Sequence, residues 1–164
     1  MKRRTKEVEI SVELDREMEI STGDEVLDHL LKTLLFYMER PGKITATSDL
    51  RHHLWEDTGI LLGKLIRKKA GERKISRYGS AVFPMDESLV LAVVDVSRSC
   101  FVSDLKPEEE EEGFSLTLTE QFLNALSRSL EATIHLKQLR GGNAHHLIEA
   151  GFKSLGAALG EALQ

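Results

Sequence analysis

The sequence predicts an α+β fold made of two similar halves, in which strands and helices pack as layers. Alternating apolar and polar residues at 7–14 predict a strand with one buried face. Apolar residues at helical spacing across 24–38 predict an amphipathic helix. The motif H-H-L-x-E occurs at His52 and again at His145, and a Leu-Gly pair follows each copy at the same distance. This recurrence indicates an internal duplication.

The first half is predicted to alternate between extended and helical segments. Pro41 and Gly42 end its first helix, because proline cannot continue a helix, and Gly71 ends its second. In chain order the predicted elements are a strand, a short extended piece, a helix, a strand and a helix, at residues 7–14, 20–23, 24–38, 43–49 and 52–69.

The second half is predicted to repeat this plan. Its predicted elements are two strands, a helix, a strand and a helix, at residues 81–83, 88–96, 119–130, 132–139 and 145–163. The halves, about 1–80 and 81–164, are expected to join near 77–87. A chain of 164 residues fits one domain of this kind, with the two halves sharing a core.

Composition excludes several classes of protein. A net charge of −5 argues against a dedicated nucleic-acid binder. The longest apolar runs, such as 89–94, are too short to cross a bilayer. The charged N-terminus lacks the apolar segment of a secretory signal. Cys100 is the only cysteine, which excludes an internal disulfide and suits a reducing compartment. We therefore expect a cytoplasmic protein without nucleic-acid or membrane partners.

An acidic run at 108–112 follows Pro107. A calcium loop needs spaced oxygen ligands and a turn glycine, which a continuous run does not supply. This segment is therefore predicted to be a solvated loop.

The paired histidines predict metal binding. On a helix, His52 and Glu56 lie on one face, whereas His53 is rotated by about 100° and faces elsewhere. Adjacent histidines therefore suit two different ions. One such pair is commonly a surface or capping feature, but two copies with a carboxylate favour ligands. Imidazole with carboxylate suits manganese, iron or zinc. The candidate ligands, including the two remaining histidines, are His29, His52, His53, Glu56, His135, His145, His146 and Glu149.

Longer segments resemble the imidazoleglycerol-phosphate dehydratase family over nearly the whole chain. They are DHLL from Asp28, HHLWED from His52, SRYGSAVFPMDESL from Ser76, VDVS from Val94 and GGNAHHLIEAGFKSL from Gly141. The resemblance implies two βββα-type repeats in sheet and helix layers, as in ribosomal protein S5 domain 2-like folds. It also implies a homo-oligomer of 24 subunits, with two manganese ions per active site lying between subunits and iron or zinc as alternatives.

The resemblance also implies roles for single residues. The eight candidate ligands match the family's metal-binding positions. Glu7, in Arg4-Thr5-Lys6-Glu7, matches a glutamate that contacts substrate, and it is our candidate general acid/base beside metal-bound Glu56 or Glu149. Arg77 and Lys153 match positions that bind the phosphate end of the substrate, and Arg98 is a further candidate.

The function implied is that of a hydro-lyase of histidine biosynthesis, which converts imidazoleglycerol phosphate to imidazole acetol phosphate. Two alternatives stay open from the sequence. One is a divergent relative that uses the same two-metal site on another substrate, and the other is a non-catalytic cage linked by metal.

The sequence departs from the family pattern in four respects. Tyr37 replaces a pocket histidine, and Leu50-Arg51 stand where the family has two aspartates in a longer loop. Arg98 lies one position later than the family's arginine, and in an extended strand such a shift turns the side chain to the other face. The family usually continues into a phosphate-binding tail, whereas this sequence ends at Gln164. We therefore expect fewer phosphate contacts.

Overall fold

A computed structural model describes residues 1–164 and contains two four-stranded sheets and four long helices. The first repeat consists of β1 (Lys2–Arg4), β2 (Val8–Leu14), β3 (Glu19–Ser21), α1 (Glu25–Tyr37), β4 (Gly42–Ser48) and α2 (Arg51–Gly71). The second consists of β5 (Tyr78–Met85), β6 (Ser88–Asp95), β7 (Cys100–Ser103), α3 (Leu116–Leu130), β8 (Thr133–Arg140) and α4 (Ala144–Ala162). None of these helices is both long enough and apolar enough to span a membrane.

The two repeats share one topology. The strand order is β1-β2-β4-β3 in the first sheet and β5-β6-β8-β7 in the second. In each sheet the second strand pairs antiparallel with the strand that follows the helix, and the third strand pairs parallel with it. The predicted α+β fold of two half-repeats is therefore confirmed, with a strand and a helix added after each βββα unit.

Three strand predictions differ from the structure. Strands β1 and β7 were not predicted, because each is a short edge strand of three or four residues without a clear alternation. Strand β5 is longer than the predicted 81–83, since Gly79 and Pro84 interrupt its pattern. Because β5 pairs only with β6, it is an edge strand and tolerates proline. Strand β5 belongs to the second repeat, so residues 72–77 connect the two repeats, whereas the sequence suggested a junction near 77–87.

One apolar core serves both repeats. The inward residues of β2, such as Val8, Ile10 and Val12, are buried, as are Val90 and Val94 of β6. They belong to one continuous cluster of 41 buried residues drawn from both sheets and all four helices. Because the cluster is not divided, the two repeats share a core, as the sequence predicted.

The helices pair across the repeats rather than within them. Helix α4 lies against α1, where Gly156 faces the carbonyl of Leu34 and Gly160 faces that of Met38. The residue numbers rise together along both helices, so the two helices run parallel. Helix α2 meets α3 in the same ascending order.

The repeated Leu-Gly pair marks these two crossings. A Cβ on Gly156 would lie 2.6 Å from the carbonyl oxygen of Leu34, and one on Gly63 would lie 2.9 Å from that of Leu126. Any larger residue would force the helices apart, since such distances are shorter than van der Waals contact. The glycines therefore allow the helices of the two repeats to pack at a short interaxial distance.

All four helices begin at the same end of the molecule. Asp24 caps α1 and accepts a hydrogen bond from Arg51, the first residue of α2. Arg51 also donates to the carbonyl of Gly113, two residues before Ser115 caps α3. Helix α4 starts beside α1 because the two run parallel. Five of the six histidines are therefore brought to this amino-terminal end of the helix layer.

Candidate metal centre and active site

The start of α4 positions two predicted ligands. Asn143 is the N-cap, and its side-chain oxygen accepts a hydrogen bond from the backbone N–H of His146 at 2.8 Å. One helical turn separates His145 from Glu149, so that His145 Nε2 lies 2.9 Å from Glu149 Oε2. This local geometry follows from the spacing in the sequence.

Helix α1 adds a third predicted ligand. His29 Nε2 lies 2.8 Å from the same oxygen, Oε2 of Glu149. The donor atoms of His29, His145 and Glu149 all lie within 4.8 Å of one another. Two imidazole nitrogens and a carboxylate oxygen thus converge, and this set suits a borderline divalent ion. Their binding of a metal stays a prediction.

Glu149 is a buried carboxylate stabilised by its neighbours. Its side chain is 9% exposed, and Lys153 Nζ lies 3.8 Å from Oε1 on the side away from the histidines. Burial raises the pKa of Glu149, but the hydrogen bonds from His29 and His145 and the charge of Lys153 outweigh burial and lower it. The carboxylate is therefore ionised at neutral pH and is able to accept from both rings.

Phe114 packs on this cluster, and sequence reasoning missed it. Its ring stacks on His145 with centroids 4.2 Å apart and planes 19° apart, and its centroid lies 6.5 Å from that of His29 in an edge-on arrangement. Phe114 follows the predicted acidic loop, which is indeed exposed and lies outside the helices and strands. Nothing in the local sequence distinguishes Phe114 from an ordinary loop residue.

The first copy of the motif is arranged differently. The His52 and His53 rings are 4.1 Å apart at the start of α2, and His53 Nδ1 lies 2.8 Å from Asp49 Oδ1. Glu56, however, turns toward α3, where its Oε1 lies 3.7 Å from Arg128. The predicted convergence of His52 and Glu56 is therefore not seen within this chain.

His146 meets a pair of carboxylates that sequence reasoning did not select. Its Nδ1 lies 2.8 Å from Glu87 Oε2, and its Nε2 lies 3.5 Å from Asp86 Oδ2. Both acids occupy the turn between β5 and β6, where Asp86 has a positive φ of 47°. A hydrogen bond from the backbone N–H of Glu87 lowers the pKa of its carboxyl, and the contact with His146 adds to this.

His135 lies apart from the other histidines. Strand β8 buries Ile134 and Leu136 against the helices, so His135 points outward from the opposite face of the second sheet. There it lies in register between Val93 of β6 and Val102 of β7. Within one chain it is therefore separated from the amino-terminal end of the helix layer by the sheet itself.

The predicted phosphate-binding residues also lie far apart within one chain. Lys153 lies beside Glu149, whereas the backbone N–H of Arg77 donates to the carbonyl of Ala162, at the far end of α4. Thirteen residues of helix separate Glu149 from Ala162, or roughly 20 Å at about 1.5 Å per residue. The guanidinium of Arg77 binds Asp95 in a bidentate pair at 2.7 and 3.1 Å.

Arg98 lies outside strand β6, in the turn that follows it. Strand β6 ends at Asp95, and residues 96–99 form a turn, which Ser97 supports by donating to Asp95 at 2.7 Å. The alternation of strand faces therefore does not apply at Arg98. Arg77 binds Asp95, the positive charge of Arg98 also acts on it, and both contributions lower its pKa.

Glu7 lies near the first histidine pair. It follows β1 and is exposed, and its backbone carbonyl accepts from the N–H of Asp49 at 3.0 Å. The hydrogen bond with Asp49 raises the pKa of His53, and the charge of Glu7 adds a smaller effect in the same direction. Glu7 is thus a neighbour of α2, not of Glu149.

Two residues that depart from the family pattern, Arg51 and Tyr37, make defined contacts in the structure. Arg51 binds Asp24 at 2.7 Å and lies over the ring of Trp55, with its guanidinium carbon 5.8 Å from the centroid. Tyr37 ends α1 and packs edge-on against Phe83 at 4.9 Å. Because His29 is near the start of α1, Tyr37 does not adjoin the cluster of His29, His145 and Glu149.

Comparisons with known proteins point to one family. A family model for imidazoleglycerol-phosphate dehydratase matches residues 22–159. The imidazoleglycerol-phosphate dehydratase of Pyrococcus furiosus is 50% identical over 160 residues, covering 97% of this chain and 90% of that protein. The enzyme of that name from Caldivirga maquilingensis is 40% identical over 174 residues, covering 100% of this chain and 90% of the relative.

Solved structures agree with these sequences. A crystal structure of IGPD from Pyrococcus furiosus in complex with (S)-C348 superposes with a TM-score of 0.96 at 49% identity, covering 100% of this chain and 93% of the other. The imidazoleglycerol-phosphate dehydratase of Staphylococcus aureus superposes with a TM-score of 0.87 at 32% identity, covering 99% and 96%. Fold, sequence and paired histidines therefore agree, and the chain belongs to the imidazoleglycerol-phosphate dehydratase family.

Proposed function

We propose that this chain is a metal-dependent dehydratase of histidine biosynthesis, which converts imidazoleglycerol phosphate to imidazole acetol phosphate. Family membership supports the reaction, since the match extends over residues 22–159. The observation that carries the metal dependence is the convergence of His29, His145 and Glu149 at one end of the helix layer. A non-catalytic cage would not require Lys153 beside that cluster.

The donor chemistry fits a divalent transition ion. Two imidazole nitrogens and one ionised, buried carboxylate offer a mixed nitrogen and oxygen set without thiolate, which suits manganese, with iron or zinc as alternatives. We propose two ions per active site, held by the eight predicted ligands. A bound ion would supply Lewis acidity and a template that orients the substrate.

The chain's own side chains supply phosphate binding and proton transfer. Lys153 is held near Glu149 and presents an ammonium group at the edge of the cluster, where it can neutralise part of a phosphate dianion. We assign Arg77 and Arg98 to the same phosphate in an assembled site. We assign proton transfer to Glu7, whose exposed carboxylate is free to approach a substrate beside the first histidine pair.

We propose that each active site is assembled from more than one copy of the chain. The residues assigned to one site lie in three places within a single copy: the amino-terminal end of the helix layer, the outward face of the second sheet, and the far end of α4. A neighbouring copy could supply His135, Arg77 and Arg98. The proposed number of 24 subunits is the one that the family resemblance implies.

The two sheets differ in a way that supports self-association. Val93 and Val102, on the outward face of the second sheet, are 39% and 47% exposed and flank His135. The corresponding face of the first sheet carries charged residues such as Glu9 and Lys43. An exposed apolar patch favours contact with another protein surface, whereas a charged face favours water.

We further propose that residues 1–164 act as one catalytic domain in the cytoplasm. The undivided core supports a single domain. The lone thiol, Cys100, suits a reducing compartment.

A turnover assay tests the proposed function. Metal-stripped protein is mixed with imidazoleglycerol phosphate, with and without manganese, and imidazole acetol phosphate is quantified. We expect product only with metal, and we expect His145→Ala to abolish it by removing a ligand from the cluster. Lys32→Ala, which alters an exposed side chain on α1, should leave turnover unchanged. If folded, metal-loaded protein forms no product, the substrate assignment is wrong.

A further inference from the structure

The second histidine of each pair makes the same contact with a carboxylate. His53 and His146 occupy matching positions in the two motif copies. Nδ1 of His53 lies 2.8 Å from Oδ1 of Asp49, and Nδ1 of His146 lies 2.8 Å from Oε2 of Glu87. In both copies the contact uses the ring nitrogen closer to the backbone.

The two carboxylates do not occupy matching positions. Asp49 lies four residues before His53, in the link between β4 and α2. Glu87 lies in the turn between β5 and β6 and reaches His146 across 59 residues of sequence. Duplication of the chain therefore explains the paired histidines. It does not explain the Nδ1–carboxylate contact, because the carboxylate comes from a different segment in each repeat.

The geometry identifies the atom that carries the proton. An ionised carboxylate only accepts hydrogen bonds, so each Nδ1 must be the donor. At His146, the side-chain nitrogen of Asn143 also lies 3.3 Å from Nδ1 and could donate to it. The contact with Glu87 is shorter and charge-assisted, and it is therefore the stronger of the two. Nδ1 of His146 thus carries hydrogen, and Nε2 is left to present its lone pair.

Nε2 of His146 faces a second acceptor. Oδ2 of Asp86 lies 3.5 Å from it. When the His146 ring is neutral, Nε2 and the Asp86 oxygen are both hydrogen-bond acceptors and repel each other. A cation near the two atoms would relieve this repulsion.

We propose that Asp49 and Glu87 are positioning residues that fix the Nδ1–H tautomer of His53 and His146, so that Nε2 of each ring is aimed at a metal ion. The proposal rests on the proposed metal dependence of the enzyme. A carboxylate behind a ligating imidazole fixes the plane of the ring and increases the basicity of the ligating nitrogen.

Manganese affinity tests the proposal directly. The full-length protein and its variants compete with a chelator of known affinity for Mn²⁺. Glu87→Ala and Asp49→Ala should each weaken binding by about 10- to 100-fold, as is typical when the partner of a ligating histidine is removed. Glu87→Gln and Asp49→Asn should retain most of the affinity, because an amide oxygen still accepts from Nδ1–H. Glu110→Ala, which removes an exposed charge from the acidic loop, is the matched control.

The tautomer itself supplies a second readout that requires neither activity nor metal. Solid-state ¹⁵N spectra of histidine-labelled, metal-free protein at about pH 8, above the usual imidazole pKa, distinguish Nδ1–H, Nε2–H and doubly protonated rings. With six histidines, the signals of His53 and His146 can be assigned by substitution. We expect Nδ1–H for both in the parent protein, and a mixture for His146 in Glu87→Ala.

Three outcomes are informative: two would overturn the positioning proposal, and the third would instead overturn the proposed metal dependence. An Nε2–H or doubly protonated ring in the parent protein would refute the assigned tautomer. Unchanged manganese affinity in both alanine variants would refute positioning, and the Glu87 carboxylate would then serve only to accept from the backbone N–H groups of Glu87 and Asn143. A parent protein that binds no manganese would refute the metal dependence, while the ¹⁵N spectra would still decide the tautomer.

Discussion

Asp24 connects two helix starts through a single carboxylate. Its side chain caps α1 by accepting from the backbone N–H groups of Val26 and Leu27, and it also accepts from Arg51 and from the indole N–H of Trp55. Trp55 is fully buried, so its indole N–H depends on this partner. Asp24 therefore holds the start of α2, and with it His52 and His53, against α1.

Asp24 should make stability depend on pH in the acid range. Burial raises its pKa, but hydrogen bonds from Arg51, Trp55 and Leu27 outweigh burial, so that in the folded protein the pKa lies below the ordinary 3.8. A lowered pKa contributes stability above the unfolded value, and this contribution is lost as the pH falls through the folded value. We expect Asp24→Asn to be less stable at pH 7 and to lose less stability on acidification below about pH 4.

Urea unfolding of metal-free protein at several pH values measures this effect. Glu25→Gln, which changes the exposed neighbour outside the network, should retain the pH dependence of the parent. If the free energy of unfolding fell equally in the parent and in Asp24→Asn between pH 7 and pH 3, the assigned role of Asp24 would be wrong.

At the residue scale, the sequence could identify candidate ligands but not the residues that contact them. The spacing of His145 and Glu149 predicts their contact, because one helical turn separates them. Phe114 and Glu87 approach the histidines from distant segments, and no local pattern encodes such an approach. Whether Arg98 reaches a phosphate stays a prediction, since it lies in the turn after β6 that Ser97 supports by donating to Asp95.

Among the elements, the helices were easier to predict than the edge strands. Helices α1 and α4 have an apolar face and end near the predicted residues, because each is long enough for the helical spacing of apolar residues to be recognised. Strands β1 and β7 exist because neighbouring strands offer hydrogen bonds to them, and their three or four residues carry little pattern of their own.

The crossing of α4 and α1 predicts a stability change at Gly156. Gly156→Ala would place a methyl group 2.6 Å from the carbonyl oxygen of Leu34, so that the helices must separate. We expect the free energy of unfolding to fall by about 1–3 kcal/mol, the usual cost of overpacking. Chemical denaturation measures it.

Gly71 supplies the matched control for this substitution. It ends α2 and has no atom within 4 Å of an added Cβ. Gly71→Ala should therefore be neutral or slightly stabilising, since alanine favours helix more than glycine. If both alanine variants were equally stable, the close approach would not matter to folding.

For the whole molecule, the interlocking of the repeats explains why one core serves both. Helix α2 packs on α3 of the other repeat, and α4 packs on α1 and on strands β5 and β6. Each half alone would leave exposed the helix surfaces that the other half covers. The sequence revealed the duplication but not this exchange of partners, because pairing between halves depends on tertiary packing.

The asymmetry of the two sheets predicts which face associates. Val93→Glu places a charge in the apolar patch around His135, and it should reduce the assembled mass measured by light scattering in the presence of manganese. Ser11→Glu, on the outward face of the central strand β2, is the matched change on the first sheet and should leave the mass unchanged. Circular dichroism checks that both variants fold. An unaltered mass for Val93→Glu would exclude this face from the interface.

The exchange of helices between repeats has a consequence during synthesis. When residues 1–75 leave the ribosome, α1 lacks α4 and α2 lacks α3, so the apolar surfaces that meet those partners stay in contact with water. Both partners lie in the second half, whose translation at roughly 5–20 residues per second takes on the order of ten seconds. The nascent first half thus carries uncovered apolar surface until α3 and α4 emerge, and premature termination before α4 would release a chain unable to complete its core.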